Sequence, residues 1–190
     1  MSIWLAAMAM SMAIVGCSNA KTATTAAATT AQSTEAVATN TSAKTTASYS
    51  EEDLNTSYSD SDTKIELSSG NAKITGEGAS YTDGNIVITK AGTYVFSGEF
   101  NGQIITEVGD EDLVHIVFNG VNITNTTSSV INAATGRKIV LTLVDGTTNT
   151  ITDGTTYNYA EGEDEPDATF FVKQDLTVNG NGTLNISSNY

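Results

Sequence analysis

The sequence predicts an all-β protein built as a parallel β-helix with three short strands in each coil. Glycine, threonine, serine and asparagine are plentiful among the 190 residues, and there is a single proline. That composition is typical of short strands joined by tight turns. Apolar segments beginning near Ile86, Leu113, Ile139 and Leu176 recur at an interval of roughly the middle twenties, lengthened once by an insertion, which is the period of a three-strand coil.

Within each coil, apolar and small polar residues alternate, so alternate side chains are expected to point inward. The residues expected to stack as internal ladders are Ile86, Ile88, Val114, Ile116, Phe118, Ile139, Leu141, Leu143, Leu176 and Val178. His115 falls between two inward positions and is expected to be exposed. Residues 65–67 and 72–75 indicate an earlier, weaker coil. A β-sandwich of antiparallel strands is the alternative, because the strand spacing also permits it.

The first 17 residues are typical of a bacterial lipoprotein signal peptide. Residues 3–15 form an apolar segment too short to span a bilayer as a helix, and it ends in Ile14-Val15-Gly16-Cys17, which resembles a lipobox. Cys17, the single cysteine, is the expected lipidation site. The protein is therefore expected to be exported and held at the bacterial cell surface or membrane through acyl chains. No basic residue precedes the apolar segment, unlike an ordinary signal peptide.

Residues 18–60 are predicted to be a disordered linker, because their Ser, Thr and Ala side chains bury too little apolar surface to offset the ordering entropy. An alanine-rich helix is the alternative, which the many threonines oppose. Residues 61–190 are predicted to be the β-helix domain. It ends inside a coil, so we expect further coils in a complete protein.

The formal net charge of −14 excludes a partner bound through basic contacts to phosphates. Nucleic acid is therefore not an expected partner, because binding by counterion release needs lysine and arginine. The membrane is expected to be a partner only through the lipid anchor.

An acidic loop interrupts the third coil and is the candidate metal site. Closely spaced carboxylates repel unless a cation or hydration relieves them, and hard oxygen donors suit Ca²⁺. The loop could equally be a solvated acidic segment, and its spacing is not that of an EF-hand. The candidate calcium ligands are Glu163, Asp164, Glu165 and Asp167, with Asp153 and Asp175 from the flanking strands.

Sugar-binding candidates adjoin this loop. Tyr157 and Tyr159 could stack on a sugar ring or merely cover the coil, and Lys173 lies close to Asp175 in sequence. Lys173 is also the best candidate base for a lyase, ahead of Arg137 and Lys138, because proton abstraction needs a basic side chain of lowered pKa.

Four segments, at residues 91–98, 117–123, 142–149 and 173–180, together resemble a family of bacterial carbohydrate-binding domain-containing lipoproteins over roughly residues 63–190. The resemblance implies a right-handed parallel β-helix that holds calcium and binds acidic plant polysaccharide such as polygalacturonate or pectin, with some members on cellulose. The family shares its coil architecture with pectate lyases. Gln174 stands where the family usually has an aspartate, which removes one possible carboxylate ligand.

The predicted function is therefore that of a cell-surface lipoprotein that binds acidic plant polysaccharide without cleaving it. Two anionic surfaces repel, so calcium would have to bridge protein carboxylates and uronate oxygens. One alternative is a polysaccharide lyase acting on pectate. The other is a surface adhesin that grips a protein partner through an open face or strand edge.

Overall fold

The computed structural model describes residues 48–190 and confirms the all-β prediction. One helix of four residues precedes thirteen strands. The elements are α1 (Glu51–Leu54), β1 (Thr63–Ser68), β2 (Asn71–Thr75), β3 (Ala79–Thr82), β4 (Asn85–Ile88), β5 (Gly92–Asn101), β6 (Ile104–Thr106), β7 (Leu113–Asn125), β8 (Ile131–Ala133), β9 (Lys138–Leu143), β10 (Thr148–Asp153), β11 (Phe170–Val172), β12 (Asp175–Gly180) and β13 (Thr183–Ser187). The predicted signal peptide 1–17, its lipidation site Cys17 and most of the predicted linker 18–60 lie outside the described residues.

Most neighbouring strands run parallel, in three ladders. The first ladder runs β1, β5, β7, β9, β12. The second runs from the last residues of β5 to the last residues of β7, then to β10 and to β13. The third runs β4, β6, β8, β11. The chain therefore returns to each ladder in the same direction after visiting the other two.

Two antiparallel hairpins close the first end of these ladders. Strand β2 pairs with β1, and β3 pairs with β4. The β3–β4 turn is Asp83-Gly84, both with positive φ, as a two-residue turn of the Asp-Gly type requires. The sequence predicted a weaker coil at residues 65–67 and 72–75; instead, residues 72–75 fold back on β1 through the turn at Gly70.

The first coil of the predicted repeat begins one strand too early in the sequence, at β4 instead of β5. Ile86 was expected to stack with Leu113, but β4 lies in the third ladder, where Ile86 pairs with Ile104. The strand that stacks on β7 is β5, which bends between ladders at Gly98. Gly98 has φ +98°, and a Cβ there would clash with the carbonyl oxygen of Leu67, so only glycine fits the corner.

The core consists of apolar rows that climb inside the ladders. Eight of the ten residues predicted to point inward are buried, namely Ile86, Ile88, Val114, Ile116, Phe118, Ile139, Leu141 and Leu143. Rows such as Ile65–Phe96–Phe118–Leu143 follow the strand register. The other two, Leu176 and Val178, are 43% and 49% exposed, because no described strand packs on the far side of β12.

The described part of the predicted linker is ordered. Ser50 caps α1 with a capping box, and residues 50–62, called the strap below, lead from α1 beside β12 back to the start of β1. The strap contains Glu51, Glu52, Asp53, Asp60 and Asp62 and no basic residue. Its order comes from ion pairs rather than apolar burial, a source of order that composition does not reveal. Among the described helices, none is long and apolar enough to cross a membrane.

Candidate functional site

Asp153 is a structural carboxylate rather than an open ligand. It is 3% exposed. Its Oδ2 accepts hydrogen bonds from Tyr157 Oη at 2.7 Å and Thr169 Oγ1 at 2.8 Å, and its Oδ1 accepts the Asn189 N–H at 2.6 Å. Burial raises the pKa of Asp153, but these hydrogen bonds outweigh burial and hold it below its usual range. The predicted metal role of Asp153 is not supported, because its oxygens are already occupied.

The acidic loop does not gather its carboxylates around one point. Glu163, Asp164, Glu165 and Asp167 are exposed, and Glu165 forms an ion pair with Lys173. Among residues 48–190, no group of three or more His, Cys, Asp or Glu side chains is close enough to hold a metal ion. Ca²⁺ takes six to eight oxygen ligands, so the described arrangement does not fit the predicted calcium site, Asp175 included.

The tyrosines of the insertion cover the coil. Tyr157 is 6% exposed, and its ring stacks on Tyr190 with centroids 4.2 Å apart. Burial, together with the Asp153 carboxylate that accepts its hydroxyl hydrogen, raises the pKa of Tyr157. Of the two alternatives for Tyr157, its burial favours covering the coil over stacking on a sugar ring. Tyr159 is half-buried, and its hydroxyl donates to the Pro166 carbonyl at 3.1 Å.

A polar cleft of about 580 Å³ lies at the corner where the second ladder leads into the third. Its wall is made of turn and strand-end residues from successive coils and one residue of the insertion. Asp83 is its one charged residue, and it has no aromatic lining. The lining side chains are Asp83, Asn85, Asn101, Gln103, Thr124, Asn125, Thr126, Thr127, Ser128 and Asn158, with Gly102 between them. We call this the corner cleft.

Hydrogen bonds between coils hold the corner cleft in shape. Asn85 Oδ1 accepts the Gln103 N–H at 3.1 Å. Gln103 Nε2 in turn donates to Ser128 Oγ at 3.1 Å and to the Ser129 carbonyl at 3.0 Å. The insertion joins the wall through the Asn158 N–H, which donates to the Thr127 carbonyl at 2.8 Å. Asn101 and Asn158 themselves are exposed and face solvent.

Sequence reasoning missed the corner cleft. Its residues lie in turns and at strand ends, which carry no apolar period, and they come from several coils. The available signal was the asparagine that ends or follows a strand in several coils, as in Asn101 and Asn125.

A second polar surface lies on the outer face of the first ladder, beneath the strap. His115, expected to be exposed, is 4% exposed, and a cavity of only about 50 Å³ separates it from Glu52 and Asn55. Burial lowers the pKa of His115 below its usual value, so the ring is neutral at pH 7. His115 does point outward from the core, as alternation predicts, but the strap covers its side chain.

The hydrogen bonds of this surface have a defined direction. Asn179 Nδ2 donates to the carbonyls of Asp53 and Asn55, at 3.0 and 3.1 Å. Asn179 Oδ1 therefore accepts from Thr142 Oγ1 at 2.6 Å. Because that hydroxyl hydrogen is used, His115 Nε2–H is the donor in the 2.7 Å contact with Thr142. A row of polar side chains thus links β7, β9 and β12 to the strap.

The family assignment rests on the coils that build these two surfaces. Residues 82–190, more than half of the chain, match the family described as "Carbohydrate-binding domain-containing protein". The chain belongs to this family. The match spans both the corner cleft and the strands beneath the strap, so both surfaces lie on its carbohydrate-binding domain.

Two relatives illustrate how far the likeness extends. A carbohydrate-binding domain-containing protein of Acetivibrio thermocellus (strain ATCC 27405) is 38% identical over 116 residues, covering 60% of this chain and 41% of that protein. A solved structure, described as the polysaccharide lyase-like protein from C. thermocellum in a gadolinium derivative, superposes with a TM-score of 0.66 at 34% identity. The superposed region covers 68% of this chain and 53% of the chain in the solved structure. The chain thus spans about two fifths to one half of these relatives' lengths.

Proposed function

We propose that this carbohydrate-binding domain binds polysaccharide without cleaving it, and that residues 61–190 form a right-handed parallel β-helix. The three parallel ladders and the return of the chain to each of them support this architecture. Parallel crossover connections are right-handed in nearly all proteins. Export and lipid anchoring through Cys17 are part of the same proposal and concern residues outside the described part.

The observation that carries the proposal is the corner cleft. Its volume is in the range of ligand sites, and its amides and hydroxyls match the hydroxyl groups of a sugar in both donors and acceptors. It has one carboxylate and no basic lining. A neutral stretch of glycan is therefore the ligand that the cleft fits, held by hydrogen bonds rather than by ring stacking.

Removing the two exposed amides of the cleft is expected to weaken glycan binding. The double variant Asn101→Ala/Asn158→Ala removes two side chains that can hydrogen-bond to sugar, at about 1 kcal/mol each, so affinity should fall about 10- to 30-fold. Affinity electrophoresis in gels containing a neutral cellulose derivative measures the change. The matched control is Asn181→Ala, an exposed amide in the turn between β12 and β13. Equal mobility of the double variant and the control would contradict the cleft as the binding site.

An acidic plant polysaccharide such as polygalacturonate is the second proposed ligand, and it requires a positive charge at the protein surface. Calcium is the predicted source, bridging carboxylates of the chain and the polymer. We expect EDTA to weaken the wild-type protein's retardation by polygalacturonate, and excess Ca²⁺ to restore it. Retardation unchanged after complete chelation would rule calcium out as the bridge.

The lyase alternative receives no support from the candidate bases. The hydrogen bond from Lys173 to Glu165 raises the pKa of Lys173, opposite to what a base requires. Arg137 and Lys138 are likewise paired with carboxylates of the strap. The polysaccharide lyase-like description belongs to the similar structure and keeps cleavage as the alternative to binding alone. A protein-binding adhesin is the remaining alternative, and it predicts glycan-independent adhesion.

A further inference from the structure

Two neighbouring cations at the start of β9 hold two neighbouring carboxylates of the strap. Arg137 Nη1 and Nη2 lie 3.1 and 2.8 Å from the two carboxylate oxygens of Glu52, a bidentate pair. Lys138 Nζ lies 2.5 Å from Asp53 Oδ1, and the Lys138 side chain is 8% exposed. Paired bidentate and charge-assisted contacts of this kind are how proteins recognise carboxylates.

The surface around this pair completes a carboxylate site. Thr177 donates to the same Asp53 oxygen that Lys138 contacts. Asn179 donates to strap carbonyls, and its own orientation is fixed by Thr142 and His115. Hydrogen bonds from Lys138, Thr177 and Ser50 hold the pKa of Asp53 well below its usual range, so the bound group is a carboxylate. Lys138, Thr177 and Asn179 stand on strands β9 and β12, and Arg137 directly precedes β9, whereas the carboxylates come from the strap.

We propose that the outer face around Arg137, Lys138, Thr177 and Asn179 is a binding site for a carboxylate-bearing oligosaccharide, and that the strap occupies it as a tethered stand-in. The inference rests on the proposed polysaccharide binding and adds a site and its regulation. It also supplies what the acidic loop does not, namely positive charge without a metal ion. The two adjacent cations provide two carboxylate positions, which acidic sugars of an oligosaccharide can fill in place of Glu52 and Asp53.

Competition with the strap sets the affinity of the free protein. A tethered segment acts at an effective concentration of roughly millimolar, so a ligand must displace it. The apparent Kd equals the intrinsic Kd divided by the fraction of molecules with an open site. The Arg137–Glu52 pair is about two-fifths exposed on both sides, whereas the Lys138 and Asp53 side chains are 8% and 17% exposed. Neutralising Glu52 and Asp53 removes the charge attraction that holds the strap, so it should open the site without changing any residue of the strands.

The test compares full-length chains in EDTA, titrated calorimetrically with tetragalacturonate and with its methyl ester. We expect E52Q/D53N to bind tetragalacturonate at least about tenfold more tightly than the wild type does. The matched control, E51Q, changes an exposed neighbouring glutamate and should leave affinity unchanged. Adding R137M/K138M to E52Q/D53N should abolish the gain, and the uncharged methyl ester should show no gain. An unchanged or weaker affinity of E52Q/D53N would overturn the proposal.

A measurement on the wild type keeps the test independent of variant folding. Amide hydrogen exchange in residues 50–58 should accelerate when tetragalacturonate is added and remain unchanged with the methyl ester. Unchanged exchange at saturating tetragalacturonate would refute displacement of the strap. The corner cleft is tested separately, because Asn101→Ala/Asn158→Ala should weaken binding of neutral glycan and leave the E52Q/D53N gain intact. Failure of one site is therefore distinguishable from failure of the other.

Discussion

Replacing Phe118 with alanine is expected to lower the free energy of unfolding by about 3–5 kcal/mol. Phe118 is fully buried and lies in the inward row between Phe96 and Leu143. Its ring meets that of Phe96 edge to face, with centroids 6.0 Å apart. Because each coil supports the next, the cavity would remove contacts on both sides. The loss is a large part of the about 5–15 kcal/mol that stabilises a typical domain.

Urea unfolding followed by circular dichroism measures this change, and an unaltered m-value would show that the unfolding reaction is the same. The control is Phe171→Ala, because Phe171 is only half-buried. Its ring centroid lies 5.5 Å from Lys173 Nζ rather than inside the apolar core. The control should lose less than half as much stability. Equal losses of unfolding free energy in the two variants would mean that the inward row contributes no more to stability than a half-buried residue does.

Alternation was enough to predict which side chains point into the core. Val114, Ile116 and Phe118 alternate with polar or outward residues, and every one of them is buried as expected. The phase of the first coil could not be predicted, because β5 continues through a corner at Gly98 instead of ending there. The sequence of a ten-residue strand does not show whether all of it belongs to one ladder or whether it bends from one ladder into the next.

The site was harder to predict than the core, and the reason is distance along the chain. Tyr157 is buried by Tyr190, and His115 by the strap, so exposure depends on segments far away in sequence. The carboxylates of the loop looked like a metal site because they are close in sequence, yet an extended exposed loop spreads them apart. Strand period determines inward and outward positions; it does not determine what later covers the outward ones.

Replacing Asp153 with alanine is expected to cost about 3 kcal/mol, because three donors, two of them buried, lose a charged acceptor. It should also release the insertion between β10 and β11. Tyr157 and Thr169, at the two ends of the insertion, both donate to Asp153, so one carboxylate fixes both ends. Asp153→Asn keeps an acceptor oxygen and should cost less. Asp164→Ala, in the exposed part of the same insertion, should have no measurable effect on stability.

The pH dependence of the unfolding free energy tests whether the charge of Asp153, rather than its packing alone, stabilises the protein. Because the pKa of Asp153 is lowered in the folded protein, the unfolded chain binds the extra proton as the pH falls through about 4. The stability that the Asp153 charge contributes is therefore fully present above the ordinary aspartate pKa. It is lost as the pH falls from there through the lowered pKa of Asp153 in the folded protein. Urea titrations between pH 7 and pH 3 should show a smaller loss in Asp153→Asn than in the wild type. Parallel losses in both proteins would show that Asp153 is not the titrating group, since the asparagine has no proton to gain in this range.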